Sequence, residues 1–242
     1  MKNMAIAAAI SLCLTAAPCR GERYGGEFLN IAVGARAQAM GGAYGPAADD
    51  ASAAYWNPAA LSRLAGHELL MGHTSLFAGL ANHDFLAAAG PASSKLWLGL
   101  AWVRLGVDGI PRFSHTVGTP PQGEFSGNEN AVFASAASKR QLRLLGRPFC
   151  LHAGGSLKAI YNRLDDRQAT GLGLDAGLLA TIRLADLAGE AATPSGGLGD
   201  MILASRRPYL GTLSLSAVYS DVGGTAISWD TPRQHRDVRP GA

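Results

Sequence analysis

Four segments of the chain alternate between apolar side chains and polar or small ones over eleven or more positions: Ser94–Arg104, Cys150–Asn162, Thr170–Arg183 and Tyr209–Tyr219. A period of two places the apolar side chains on one face of a β-strand. Strands of soluble proteins usually have about five or six residues, whereas a tilted strand needs about 9–11 to cross a bilayer. The pattern therefore predicts β-strands that are long enough to span a membrane.

The opposite face of these segments carries ionisable groups. In the second and third segments the leucines alternate with the following side chains: His152, Lys158, Asp175 and Arg183. If the leucines face lipid, these four line the lumen of a barrel, where an ionisable group is a candidate for function. The segment ends carry Tyr161, Tyr209 and Tyr219, which is typical of the aromatic girdles of membrane barrels.

Three further segments are weaker strand candidates: Glu68–Phe77, His83–Gly90 and Asn130–Lys139. Clusters of Gly, Pro, Asn and Asp predict loops at Asp108-Gly109, Gly118–Asn128, Asp165-Asp166 and Ala192–Asp200. No apolar run of transmembrane-helix length follows residue 21, and lipid leaves open strand edges without hydrogen-bond partners. We therefore predict an all-β fold, a transmembrane antiparallel β-barrel over residues 67–242.

The composition excludes several classes of protein. Charged residues make up 16% of the chain and hydrophobic residues 48%, which is too apolar for a disordered chain. The 31 glycines show no three-residue period, so the chain is not collagen-like. The net charge of +3 comes from scattered Lys and Arg without a basic stripe, so no nucleic-acid partner is expected.

Motifs for catalysis are weak in this sequence. The glycines of Gly171–Gly177 depart from the spacing of a dinucleotide loop and lie within an alternating strand. The six histidines form no zinc-binding pair with a carboxylate, and no Gly-x-Ser-x-Gly elbow occurs. The pair Asp49-Asp50 is explained more simply by helix capping than by catalysis. We expect no enzymatic activity, no catalytic residue, no metal and no cofactor.

Residues 1–21 have the features of a cleaved secretory signal peptide. Lys2 supplies a positive charge, Ala5–Leu14 form an apolar stretch, and small residues follow. An N-terminal membrane anchor would need about 20 apolar residues, and this run ends at Pro18. Lipidation of Cys19 is disfavoured because Pro18 precedes it, and Cys150 is then the only thiol expected in the mature chain.

Residues 22–66 differ from the strands and predict a small N-terminal hatch, or plug. Gly41 and Gly42 permit a tight bend after Met40, and Asp49 and Asp50 can cap a short helix over Ser52–Tyr55. The helix should stop at Asn57, because the residue before Pro58 avoids the α region. We expect Tyr55 and Trp56 to wedge into the barrel interior, with Asn57 bonded to the barrel wall.

The same region resembles the N-terminal signature of the PorV/PorQ family of outer-membrane proteins, which are related to the FadL-type channels. The family pattern "ARAMGMGGA…ADDASA.YWNPA.L" is matched by Ala35–Ala43, with departures at Gln38 and Ala39, and by Ala48–Leu61. The hatch motif that this resemblance implies comprises Arg36, Met40, Gly41, Gly42, Asp49, Asp50, Tyr55, Trp56, Asn57 and Pro58. The turn Ser220–Gly224 also resembles a late strand and turn of the family.

The resemblance implies an outer-membrane location in a diderm bacterium, with outer-membrane lipid as a partner. On the PorV side it implies a component of type IX-like protein secretion or cell-surface export, which binds secretion machinery or secreted cargo. On the FadL side it implies a passive transport channel for hydrophobic small molecules. Family barrels have more strands than the roughly eight expected here, and the end Arg239–Ala242 lacks a terminal aromatic strand. We therefore expect either that C-terminal strands are missing or that something outside this chain closes the barrel.

Overall fold

A computed structural model describes residues 26–113, 120–144, 146–184, 211–222 and 224–230. The predicted signal peptide and the predicted loop Ala192–Asp200 lie outside them. Two short α-helices are present in this part of the chain, α1 (Ala35–Ala39) and α2 (Ala53–Trp56), with 3-10 helices at Glu27–Asn30, Pro58–Arg63 and Phe77–Gly79. The strands are β1 (Glu68–Leu76), β2 (Ala81–Pro91), β3 (Trp97–Pro111), β4 (Glu124–Leu144), β5 (Arg147–Leu164), β6 (Arg167–Arg183), β7 (Thr212–Tyr219) and β8 (Ala226–Trp229).

The strands form one antiparallel sheet in which chain neighbours are also sheet neighbours, in the order β1 to β7, while β8 pairs with β6. The sheet curls into a half-barrel, which confirms the all-β prediction at this level. One edge of the described sheet is β1 and the other is formed by β7 and β8. Among the described residues, no helix is long and apolar enough to cross a membrane.

Strands β7 and β8 lie end to end along the same edge of β6. The register pairs Ala176 with Tyr219 and Leu172 with Ala226. Three residues of β6 (173–175) therefore face six residues of the partner strand (220–225). The two strands thus act as one long strand that is interrupted by residues 220–225. We call this interruption the inward bulge, because its residue Asp221 contacts the concave face of the sheet.

The alternation of the sequence sets the two faces of the sheet as predicted. On the concave face, β5 buries its even-numbered residues His152, Ser156 and Lys158, which pack inside the curl. The convex face exposes large apolar side chains, with Leu172 68% and Leu174 52% exposed. The exposed convex face is therefore largely apolar, while the concave face combines these buried polar groups with buried apolar side chains.

The strands extend further than the alternation predicts. The segment expected at Asn130–Lys139 is the centre of β4, which has 21 residues. The loop expected at Asp108-Gly109 is wrong, because these residues form a bulge within β3 where Gly109 adopts a φ of +68°. The predicted turn at Asp165-Asp166 is confirmed between β5 and β6.

Residues 26–66, here called the N-terminal segment, pack on the concave face of the sheet. The segment supplies about half of the hydrophobic core, including Phe28, Tyr44 and Leu61, and the sheet supplies the rest, including Phe85 and Phe133. Its 3-10 helix at Pro58–Arg63 contacts β2 to β6. The fold thus consists of one curled sheet and the chain segment that it surrounds.

Candidate functional site on the concave face

The turn at Asn57 and Pro58 organises the N-terminal segment. Helix α2 ends at Trp56 because Asn57 is extended, with φ −162° and ψ 104°, and Pro58 then begins the 3-10 helix. Asn57 is fully buried. Its Oδ1 accepts the Ala59 N–H at 3.0 Å and its Nδ2 donates to the Gly45 carbonyl at 3.4 Å. The predicted helix stop is confirmed, whereas the expected bond from Asn57 to the barrel wall is wrong: both bonds remain within the N-terminal segment.

Two glycines let this turn touch the backbone of the sheet. Gly154 on β5 and Gly177 on β6 are register partners. A Cβ at Gly154 would lie 2.5 Å from the Ala59 nitrogen, and one at Gly177 would clash with Asn57 Oδ1. Any larger side chain at either position would push the turn away from the sheet. The sequence places both glycines at concave-face positions of the alternation, but it does not indicate which segment they accommodate.

We expect Gly154→Ala to lower the free energy of unfolding by about 1–3 kcal/mol, because the added methyl meets backbone that cannot move aside. Gly155→Ala is the matched control, since its Cβ would point to the convex face and meet the Asp175 carbonyl oxygen at an ordinary 3.5 Å. Urea unfolding of both variants in detergent micelles measures the difference. Equal midpoints for the two would contradict close contact between turn and sheet.

Three polar contacts add to the attachment of the N-terminal segment. Ser62 Oγ lies 2.6 Å from His152 Nδ1 on β5. The Trp97 indole on β3 donates to the Leu64 carbonyl at 2.9 Å. On β4, the hydroxyl of Ser135 donates to the carbonyl of Ala54, at 3.3 Å. His152, expected to line a lumen, is therefore buried against the segment.

The two aromatic residues at the end of α2 pack against different parts of the fold, Tyr55 against the sheet and Trp56 within the N-terminal segment. The Tyr55 ring packs edge-on against Phe85 and Phe133, with ring centroids 6.3 and 5.7 Å away. Its hydroxyl donates to the Leu29 carbonyl, and burial raises the pKa of this phenol. Trp56 instead packs on Tyr44 and donates to the Val33 carbonyl at 3.2 Å. Of the two residues expected to wedge into a barrel interior, Tyr55 packs against the concave face of the sheet, whereas the contacts described for Trp56 lie within the segment.

The two aspartates of the predicted motif share Arg36 and Tyr44 as partners but differ in which of them lies nearer. Asp50 accepts the Ser52 N–H at 2.9 Å, just before α2. It also accepts the Tyr44 hydroxyl at 3.0 Å, and burial together with this bond raises the Tyr44 pKa. Asp49 is paired with Arg36 at 2.6 Å, which raises the pKa of the Arg36 guanidinium. Asp49 was expected to cap α2 and does not, because Arg36 binds its carboxylate.

The other predicted motif residues form the bend before this cluster. Gly41 and Gly42 have positive φ values of +62° and +81°, the left-handed region that favours glycine. Met40 precedes them and is 46% exposed. The predicted bend is therefore confirmed, and it returns the chain so that Arg36, Tyr44 and the aspartates meet.

A buried charged cluster joins β5, β6 and the inward bulge. Lys158 is 3% exposed, and its Nζ lies 3.3 Å from Asp175 Oδ1 and 2.6 Å from Asp221 Oδ1. The Asp221 N–H also donates to Asp175 at 2.8 Å, and the Thr225 hydroxyl donates to Asp221. The sequence indicated Lys158 and Asp175 but missed Asp221 and Thr225, because only the inward bulge brings them to the concave face.

Arg183, the last predicted lumen residue, lines a cleft at the end of the sheet where β4 turns into β5. We call it the basic cleft, and it has a volume of about 480 Å³. The cations that line it are Arg63, Lys139 and Arg183, and the imidazole of His152 also lines it. Among the described residues, no group of three or more His, Cys, Asp or Glu side chains could hold a metal ion.

These observations define an all-β protein whose curled sheet packs around its own N-terminal segment. No family model, curated protein or solved structure matches the chain.

Proposed function

We propose that the chain is a non-enzymatic outer-membrane β-barrel protein of PorV/PorQ type, with residues 22–66 as a hatch inside the barrel. The observation that carries the proposal is the apolar character of the exposed convex face. The exposed convex face is apolar, as a lipid-facing surface must be, while the concave face holds buried charge. A soluble protein rarely exposes an apolar surface of this extent.

The dimensions of the apolar face agree with a bilayer. On β5 the convex apolar positions run from Leu151 to Tyr161, ten residue steps, or about 33 Å along the strand at ~3.3 Å per residue. At a strand tilt of about 40°, this length corresponds to a height of about 25 Å, the apolar band of an outer-membrane barrel. The register places Arg140 beside Leu151 and Asn130 beside Tyr161, so polar side chains bound the band at both ends.

The boundary near Tyr161 has the character of a membrane interface. The Trp102 indole donates to Asn130 Oδ1 at 3.2 Å, as an aromatic residue does at the headgroup level. Further along the same boundary, Arg104 donates to Asp84 at 2.9 Å. Asp84 also pairs with His73 at 2.6 Å. Such a row of paired polar side chains supports the assignment of this boundary as the water-facing end of a barrel wall.

A barrel in lipid must have no open edge, because unpaired backbone groups there have no solvent to bind. The edges at β1 and at β7 and β8 therefore pair with further strands in the proposed barrel. The curl of the described sheet supports a larger barrel of which these strands form part.

Within this class, we favour a component of type IX-like protein secretion or cell-surface export that binds machinery or cargo. The hatch touches the wall backbone at Gly154 and Gly177, so no path for a solute passes between hatch and wall there. This close contact supports a partner-binding role over passive flow.

The alternative is a passive FadL-like channel for hydrophobic molecules, and one observation favours it. A cavity of about 370 Å³ lies on the hatch, lined by Leu29, Tyr55 and Trp56 and also by the polar side chains of Asn30 and Gln38. Its size suits a small, partly apolar ligand.

Cell fractionation tests the location. The mature chain should be recovered in the outer-membrane fraction, and the folded form should migrate faster on a gel than the heat-denatured form.

Protease added to the folded protein in micelles should spare residues 26–66, while Asn57→Ala should expose them, because Asn57 holds the turn. Recovery as a soluble periplasmic protein would overturn the barrel.

Gene deletion separates the two functions. Loss of proteins from the cell surface with normal uptake of long-chain fatty acids supports the secretion role. Reduced uptake with normal surface proteins supports the channel instead.

A further inference from the structure

The cavity of about 370 Å³ on the hatch is built from several parts of the N-terminal segment, and we call it the hatch cavity. The 3-10 helix at Glu27–Asn30 forms one side, α1 and the bend at Gly41 and Gly42 form another, and the end of α2 forms the third. The described lining residues all belong to this segment. Contacts within the segment therefore set the shape of the cavity.

Two aromatic rings supply the apolar part of the lining. Tyr55 and Trp56 stand at 86° to each other, with ring centroids 5.1 Å apart. The Tyr55 hydroxyl donates to the Leu29 carbonyl, and the Trp56 indole N–H donates to the Val33 carbonyl at 3.2 Å. Because these bonds hold both rings and use their N–H and O–H donors, the pair offers a fixed ring surface. Such a surface suits another planar ring.

Two carboxamides supply the polar part of the lining. Gln38 Nε2 donates to the Ala32 carbonyl at 2.9 Å, and Asn30 Nδ2 donates to Glu27 at 3.1 Å. Each bond orients its carboxamide and uses one N–H group, whereas a carboxamide has two N–H donors and an oxygen with two lone pairs. Gln38 and Asn30 thus have capacity both to donate to a ligand and to accept from it. A hydroxyl group matches this capacity, since it donates and accepts at one atom.

The glycine bend keeps space open beside the Trp56 ring. A Cβ at Gly42 would lie 3.9 Å from this ring, so a longer side chain there would extend over the aromatic surface. The positive φ of +81° also favours glycine at this position. The volume of the cavity falls within the usual range for small ligands.

We propose that the hatch cavity binds a compact planar ring compound that carries a hydroxyl group. The ring packs on Tyr55 and Trp56, and the hydroxyl bonds to the carboxamides of Gln38 and Asn30. This inference narrows the ligand class of the passive-channel alternative and rests on that alternative for its biological role.

Calorimetric titration of the full chain in non-ionic micelles tests the ligand class, with protein-free micelles as the blank for partitioning. The probes are 2-naphthol and 2-methoxynaphthalene, which share one ring system and differ in the hydroxyl donor. The native chain should bind 2-naphthol about tenfold more tightly, as expected for one added hydrogen bond. Gln38→Leu, at an exposed position, should weaken 2-naphthol binding about tenfold and leave 2-methoxynaphthalene binding unchanged.

Gln141→Leu is the matched control, because it removes an exposed glutamine carboxamide on β4, outside the hatch cavity. It should leave the affinity for both probes unchanged. The proposal is overturned if neither probe binds, if both bind equally tightly, or if Gln141→Leu weakens binding as much as Gln38→Leu does. Binding of dodecanoate in place of 2-naphthol would also overturn it.

These titrations measure binding without transport, so they separate the ligand site from the channel. Normal uptake of 2-naphthol by a strain that lacks the gene, with binding to the purified chain intact, would contradict the channel and leave the ligand site in place.

Discussion

Replacing Lys158 by Met should destabilise the folded chain by about 3–5 kcal/mol, because it leaves the Asp175 and Asp221 carboxylates close together without their cation. Met fills a similar volume, so the loss reports charge rather than a cavity. Urea unfolding in micelles, followed by tryptophan fluorescence, measures the effect.

A second substitution separates charge from packing. Lys158→Met combined with Asp221→Asn restores the net charge of the cluster to −1, its value in the native protein. We expect the double variant to recover a large part of the lost stability. If it is no more stable than Lys158→Met alone, the cluster does not depend on charge balance and the predicted role of Lys158 is wrong.

The second large effect is expected on the convex face. Leu174→Arg should lower stability by about 2–4 kcal/mol if Leu174 lies near the bilayer midplane, because the guanidinium must then be buried in lipid. Refolding into liposomes, with the folded fraction measured by heat-modifiable gel mobility, gives the comparison with the native chain.

Thr170→Arg on the same face of β6 is the control. Thr170 pairs with Tyr161 at the polar boundary, where an added Arg should cost only about 0–1 kcal/mol. A water-facing surface would tolerate Arg equally at both positions. Equal and small losses for the two variants would therefore remove the lipid-facing assignment of this surface.

The sheet faces could be predicted from sequence because side-chain alternation is a local property. The strand ends could not. In β4 the residues just before Asn130, Ser126–Glu129, are polar or small on both faces, so the alternation is lost there, but the backbone pairing continues to Glu124. The pattern of apolar residues thus marked the apolar band and not the full strand.

In the N-terminal segment, too, some features could be predicted from sequence and others could not. Its bend at Gly41 and Gly42 and its helix stop at Asn57 follow from local backbone preferences. The attachment of the segment to the sheet does not follow from local preferences. Gly154 and Gly177 lie about a hundred residues along the chain from Asn57, and their role depends on the register of β5 with β6. The hatch function and the family resemblance remain predictions.

The contact between the turn and the two glycines also constrains the order of folding. Ser62 and His152 are separated by 90 residues, and Ser135 and Ala54 by 81. Contacts between such distant residues form slowly, whereas the hairpins β2–β3 and β5–β6 are local and can form early. Because the turn sits directly against the strand backbone, it would have no room to enter once the wall of the proposed barrel has closed. We therefore expect the wall to assemble around the N-terminal segment, with closure as the last and slowest step.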